Sequence, residues 1–100
     1  MYSLLYVDDE PSLLELAKVY LERTHTFSVA TITSANEGLE LLKKNAFDAI
    51  ISDYAMPEKD GIELLKAIRA ECGDIPFILF TGKGREEIAI EAIDNGADFY

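Results

Sequence analysis

The sequence is short of cysteine, of basic side chains and of long apolar runs, and each shortage excludes a class of protein. The single cysteine, Cys72, cannot form an internal disulfide, so a disulfide-stapled secreted module is excluded. Nine lysines and arginines stand against nineteen aspartates and glutamates, for a net charge of −10. This balance argues against direct binding of nucleic acid, because phosphate contacts need clustered basic side chains.

The start of the chain has none of the features of a targeting segment. Residues 1–3 carry no basic side chain, and a strand is predicted almost at once. The apolar runs are far too short to cross a bilayer, so no membrane contact is expected. With 49% hydrophobic residues among 100, the chain is expected to form one cytoplasmic domain over residues 1–100.

Short apolar runs and helical repeats alternate along the chain. The predicted strands occupy residues 4–7, 27–33, 49–52 and 77–80, and a fifth opens at residues 97–100, where the sequence stops. A helix is predicted after each of the first four strands, the last from about residue 85 to residue 95. This alternation predicts an α/β, flavodoxin-like, doubly wound parallel five-stranded sheet with the strand order 2-1-3-4-5.

Helix starts and apolar stripes refine this picture. Ser34 and Glu37 match a capping box before the second helix, and Asp60-Gly61 is interpreted as a turn and helix start. On the fourth helix, Ile90 fits a partner surface better than a core position. The first helix carries apolar side chains at helical spacing: Leu13, Leu16, Ala17, Tyr20 and Leu21.

Carboxylates follow two strands that are neighbours in the predicted sheet. Asp8 and Asp9 follow the first strand, and Asp53 follows the third. In the order 2-1-3-4-5 these side chains meet in the crevice at the carboxyl ends of the strands. Oxygen ligands with room for water and phosphate favour Mg²⁺, and an aspartate beside Mg²⁺ can attack phosphorus. We therefore expect Asp53 to be the nucleophile, with Asp8 and Asp9 on the metal side and the Thr81 hydroxyl near a phosphoryl oxygen.

Each of these residues also has a plainer interpretation. Asp8 and Asp9 are suited to the N-cap of the first helix, because acidic groups are favoured there. Asp53 before Met-Pro fits a turn residue, and Thr81 fits an ordinary hydroxyl at the end of a strand. Only the combination of the three carboxylates on adjacent strands favours a site.

The motifs also carry a resemblance that covers the whole chain. They are Val7-Asp8-Asp9-Glu10, Ser52-Asp53, Met56-Pro57, Asp60-Gly61, Thr81-Gly82 and Asn95-Gly96-Ala97-Asp98. Together, and in this order, they resemble the receiver domain of two-component response regulators. The resemblance implies that Asp53 accepts a phosphoryl group from a phosphohistidine on a sensor histidine kinase or a phosphotransfer protein.

The resemblance also implies the metal ligands and a relay. Mg²⁺ would be held by Asp8, Asp9 and Asp53 and by the backbone carbonyl of Ala55. Thr81 would be the switch hydroxyl and Tyr100 the switch aromatic, although Tyr100 also fits an ordinary core position. The relay would change the surface of helix 4 and strand 5, where a homodimer is a further expectation.

The sequence departs from the family at two places. The family's strand-five lysine and its last helix fall beyond Tyr100, where this sequence has ended. Gly82-Lys83-Gly84 replaces the more usual alanine-containing step, and Lys83 is expected to tune the lifetime of the aspartyl phosphate. The domain is expected to be no enzyme apart from catalysing its own phosphoryl transfer and dephosphorylation.

Two other functions remain open from the sequence. One is a Mg²⁺-dependent phosphohydrolase with an aspartyl-phosphate intermediate, which would need a second acid for the leaving group. The other is a receiver-like dimerisation scaffold that takes no phosphate. The sequence names neither the kinase nor an output domain.

Overall fold

A parallel sheet of four strands forms the centre of the computed structural model, which describes residues 1–80 and 86–98. The strands are β1 (Tyr2–Val7), β2 (Phe27–Ile32), β3 (Ala49–Asp53) and β4 (Phe77–Phe80). The helices are α1 (Pro11–Glu22), α2 (Ala35–Lys44), α3 (Gly61–Glu71) and α4 (Glu86–Asp94). All pairings are parallel and the order is β2-β1-β3-β4, which confirms the predicted α/β topology.

The predicted fifth strand falls partly outside the part of the chain that the structure describes. Asp98 lies beside β4, because its N–H donates to the carbonyl of Phe77 at 3.0 Å. Its carboxylate accepts the N–H of Phe77 at 2.9 Å. Asp98 therefore lies on the free side of β4, where the predicted order places strand five.

The helix starts agree with the sequence in part. The Ser34 hydroxyl accepts the N–H of Glu37 at 3.3 Å, so Ser34 is the N-cap of α2. The reciprocal capping box forms instead at α3, where Asp60 accepts the N–H of Glu63 and Glu63 accepts the N–H of Asp60. Both helices begin where a side-chain oxygen satisfies a backbone N–H that the helix leaves free.

The main core lies between the sheet and α2, α3 and α4. Its largest fully buried side chains are Leu5, Val7, Ile50, Leu64, Leu65, Ile68, Phe77 and Leu79. Cys72, at the end of α3, packs against this core.

The other face of the sheet carries α1 and is more open. Leu14 is the buried residue of α1, whereas Leu16 and Tyr20 are 67% and 68% exposed. The predicted apolar stripe of α1 lines a groove of about 570 Å³, whose floor is formed by Tyr6, Ile51 and Phe80. Asp8 also lines this groove.

Among the described helices, none combines the length and the apolar character that a membrane crossing requires.

Candidate metal centre

The three carboxylates predicted to converge do so. Val7 of β1 lies opposite Ser52 of β3, so the residues that follow them, Asp8 and Asp53, are neighbours across the two strands. Carboxylate oxygens of Asp8, Asp9 and Asp53 all lie within 4.8 Å of one another. The site follows from the topology, because parallel strands place their carboxyl ends at one edge of the sheet.

Asp8 is held by the backbone on both sides. It is only 3% exposed, and its N–H donates to the carbonyl of Ile32 at 3.2 Å. Its Oδ1 accepts the N–H of Glu10 at 3.0 Å. The N-cap of α1 is Glu10, without a side-chain cap bond, so the helix-cap interpretation of Asp8 and Asp9 is wrong.

Asp53 is the last residue of β3, so the strand ends one residue later than predicted. Its backbone carbonyl accepts a hydrogen bond from the buried Ser52 hydroxyl at 3.0 Å. The first residue of α3, Gly61, packs against the same carbonyl, and its N–H donates to the backbone carbonyl of Tyr54 at 2.9 Å. Asp53 therefore projects from a rigid strand end.

Sequence reasoning missed that Ser52 and Gly61 support the site. Asp60-Gly61 was interpreted only as a turn and helix start, which is also correct. A glycine at the first position of a helix, where many better residues are available, was the signal for a close approach. Ser52 gave no signal, because a serine in a short strand has many explanations.

Burial and mutual repulsion raise the pKa of two of the carboxyls. For Asp8 the main cause is burial, followed by the charge of Asp9, while the hydrogen bond from Glu10 lowers the pKa. For Asp53 burial again raises the pKa most, followed by the charge of Asp8, and the N–H groups of Tyr54 and Ala55 oppose the shift. Both carboxylates would be stabilised by a cation placed between them.

The nearby Tyr6 hydroxyl responds to the same charges. Burial, then Asp8 and Asp53, raise the pKa of Tyr6, so this phenol stays protonated beside the cluster. The donor set itself is made of carboxylate oxygens alone. Such a set fits a hard divalent cation such as Mg²⁺ and does not fit zinc, which prefers nitrogen and sulfur ligands.

Of the other predicted site residues, the structure describes only Ala55. Ala55, the predicted carbonyl ligand, is an exposed residue two positions after Asp53. Phe80, the last residue of β4, is the partner of Asp53 across the sheet, and Thr81 follows it in the sequence. Thr81, Lys83 and Tyr100 themselves lie outside the described residues.

Known proteins resemble this chain over its whole length. The model of the response regulator receiver domain family matches residues 4–100. The response regulator SaeR of Staphylococcus aureus is 38% identical over 100 residues, which is 100% of this chain and 43% of that protein. The chain thus spans less than half the length of the curated relatives it matches.

Solved structures agree with the sequence match. A response regulator receiver domain protein from Clostridium thermocellum has a TM-score of 0.92 at 32% identity, and the match covers 100% of this chain and 80% of that one. The Francisella response regulator 1452 receiver domain has a TM-score of 0.91 at 28% identity, with coverages of 99% and 82%.

Proposed function

Because the chain belongs to the family of response regulator receiver domains, we propose that it is a phosphorylation-controlled switch in which Asp53 is the phosphoacceptor. The observation that carries the proposal is the convergence of Asp8, Asp9 and Asp53 at the end of two neighbouring strands. Asp53 is the member of this cluster that belongs to a strand itself, β3, whereas Asp8 and Asp9 follow the end of β1. We assign Asp8 and Asp9 to the metal side.

In the proposed reaction an Oδ of Asp53 attacks the phosphorus of a phosphohistidine, on a sensor histidine kinase or a phosphotransfer protein. The new P–O bond forms as the P–N bond breaks, and the imidazole leaves with the electron pair of that bond. Mg²⁺, held by Asp8, Asp9, Asp53 and the Ala55 carbonyl, would supply positive charge to the phosphoryl oxygens. The Glu10 N–H donates to the Asp8 carboxylate, and the Ser52 hydroxyl donates to the backbone carbonyl of Asp53.

The relay from the site is also a proposal. Thr81 follows Phe80, the partner of Asp53, and is assigned as the switch hydroxyl. Tyr100 is assigned as the switch aromatic, and the two would change the surface of helix 4 and strand 5. On α4, Ile90 and Ile93 are 63% and 47% exposed, which supports a homodimer or partner surface there. Lys83 is proposed to tune the lifetime of the aspartyl phosphate.

The domain is proposed to continue past Tyr100 in the full protein. The open apolar groove beside α1, with Phe80 56% exposed on its floor, supports a further element on that face. The family's lysine would follow on strand five. Extension of the chain past Tyr100 should raise both the stability and the rate of phosphorylation. An unchanged rate would contradict the proposal that the strand-five lysine contributes to phosphorylation.

The first experiment is phosphorylation by acetyl phosphate with Mg²⁺, measured by intact mass. We expect one added phosphoryl group on the wild type and none on Asp53→Ala or after Mg²⁺ is chelated. Asp74→Asn, which alters an exposed carboxylate away from the cluster, is the matched control and should be phosphorylated normally. A mass gain that persists in Asp53→Ala would remove Asp53 as the acceptor.

The outcomes also separate the two alternative functions. No gain in the wild type or in an extended chain would favour a scaffold that takes no phosphate. Rapid release of phosphate from a small phosphomonoester, with turnover, would favour a Mg²⁺-dependent phosphohydrolase. The residue two positions after Asp53 is Ala55, which cannot protonate a leaving group, so the switch is favoured. A Lys83→Ala variant with an unchanged dephosphorylation rate would remove the role of Lys83.

A further inference from the structure

The outer edge of β2 is closed by two side chains of α1. The Val29 N–H donates to Oε2 of Glu22 at 2.9 Å, and Nζ of Lys18 donates to the Val29 carbonyl at 2.6 Å. Lys18 also bonds Glu22 at 3.0 Å, one helical turn away. We call Lys18, Glu22 and the Val29 backbone the edge clasp.

The clasp occupies backbone groups that face away from the sheet. The N–H of Tyr2 donates to the carbonyl of Thr26, and the N–H of Asp8 donates to the carbonyl of Ile32. The backbone groups of the even-numbered residues of β2 therefore face β1. Because backbone groups alternate along a strand, those of Phe27, Val29 and Thr31 face outward. Val29 is the middle of these three, so the clasp closes the centre of the edge.

The strand itself carries none of the usual protection of an edge. Phe27–Ile32 reads FSVATI, with no charged residue and no proline. Native edge strands are normally protected by charge, proline, a bulge or a covering element, because a bare edge pairs with other strands. Six uncharged residues with β-branched and aromatic side chains are also typical of segments that associate. In this chain the protection comes from the neighbouring helix.

We propose that the edge clasp keeps β2 from pairing with β2 of a second copy of this chain. Two identical edges related by a twofold axis meet in antiparallel register, which suits a closed dimer. The β2 segment carries no charge, so two copies that meet along this edge place no like charges opposite each other. A second copy also offers the same row of backbone groups, and it is therefore the partner that the released edge fits. This inference does not depend on phosphorylation.

The test compares two double variants that leave the net charge unchanged. Lys18→Met with Glu22→Met removes the clasp, because neither new side chain can bond the Val29 backbone. Lys43→Met with Glu71→Met removes the ion pair between α2 and α3, whose Nζ and Oε1 atoms are 2.8 Å apart, and leaves the β2 edge closed. Circular dichroism first establishes that each variant is folded, and sedimentation velocity over a concentration series then measures association.

We expect the clasp variant to dimerise with a dissociation constant at least about tenfold lower than that of the wild type or of the control. Hydrogen exchange should localise the contact, because protection of the Phe27, Val29 and Thr31 amides should rise with concentration in the clasp variant alone. Adding Ser28→Lys, a charge on an exposed position of β2, should restore the monomer.

Three results would overturn the proposal. They are a clasp variant that stays as monomeric as the control, equal association of both double variants, and association without protection of the β2 amides. If the double variant does not fold, Lys18→Met alone replaces it. That variant keeps Glu22 on the Val29 N–H and opens only the carbonyl, so weaker association in the same direction is expected.

Discussion

The Cα of Gly61 lies against the backbone carbonyl of Asp53, so closely that a methyl group built on Gly61 would be 2.5 Å from that oxygen. The same methyl group would be 2.6 Å from Cδ1 of Leu79, a fully buried side chain. The first turn of α3 and the end of β3 therefore need a glycine where they meet. This contact joins the helix start to the proposed phosphoacceptor.

Gly61→Ala should lower the free energy of unfolding by about 1–3 kcal/mol, because neither the backbone oxygen nor the packed Leu79 can move away freely. It should also slow phosphorylation, since Asp53 must shift to relieve the overlap. Urea denaturation and the acetyl phosphate reaction measure the two effects. Gly38→Ala is the matched control: its methyl group would meet Val7 at 3.3 Å and Ile32 at 3.4 Å, distances that a shift of a few tenths of an ångström relieves. Equal losses of stability and of phosphorylation rate in the two variants would show that the overlap with the Asp53 carbonyl adds no cost of its own.

Mg²⁺ should stabilise the folded chain, because only the folded state brings the three carboxylates together. At a concentration about one hundred times its dissociation constant, the ion should add roughly 2.7 kcal/mol to the free energy of unfolding. Asp8→Asn should lose most of this gain, since it removes a charged ligand. Asp74→Asn should keep it. Thermal unfolding with and without a chelator checks the prediction, and an equal gain in both variants would place the ion elsewhere.

The pH dependence of the metal-free protein should show the cost of the clustered charges. Because the pKa of the Asp8 carboxyl is raised in the folded state, protonation of this group favours folding. Its contribution to stability is full below the ordinary pKa of 3.8 and is lost as the pH rises through the raised pKa. Asp8→Asn should therefore be more stable than the wild type near pH 7, by on the order of 1 kcal/mol or less after solvent screening. The difference between the two proteins should shrink toward zero below pH 3.8.

The quantity to measure is the difference in unfolding free energy between the wild type and Asp8→Asn. Other carboxyl groups have lowered pKa values, so their contributions to stability fall on acidification, opposite to that of Asp8. The Val29 N–H and Lys18 lower the pKa of Glu22, and Lys43 lowers that of Glu71, so both groups lose stabilising interactions on acidification. Urea denaturation of both proteins at matched pH values cancels these contributions. A wild type that is more stable than Asp8→Asn at pH 7 without metal would contradict the prediction.

The sequence predicted the topology and the acidic cluster from the same pattern. Apolar strands that end in aspartate, together with the order of β1 and β3, are enough to bring Asp8 near Asp53. The contact of Gly61 with Asp53 was not predictable, because it depends on the distance between a helix and a strand that periodicity does not measure. Likewise, the spacing of Leu16 and Tyr20 predicted a common face of α1 but not what lies against it. Thr81, Lys83 and Tyr100 stay predictions.

The side chain of Arg69 was also not recognised from the sequence. It is 19% exposed at the end of α3, and its guanidinium donates to three backbone carbonyls. Nη1 bonds Gly73 at 3.0 Å and Ile75 at 2.8 Å, while Nε and Nη2 bond Gly96 at 3.2 and 2.8 Å. A basic residue in the last turn of a helix is common, so only the structure shows that it joins the end of α3 to the segment after α4.

Arg69→Lys should lower the free energy of unfolding by about 1–3 kcal/mol although the charge is kept, because one ammonium group cannot reach carbonyls that the planar guanidinium bonds together. The loss should be local as well, so the amide of Asp98 should exchange faster, since that segment is held through Gly96. Arg23→Lys is the control: Arg23 lies over the exposed Tyr20 ring, 5.9 Å from its centroid, and should change stability by less than about 0.5 kcal/mol. Equal effects of the two substitutions would mean that the carbonyl contacts of Arg69 add no net stability.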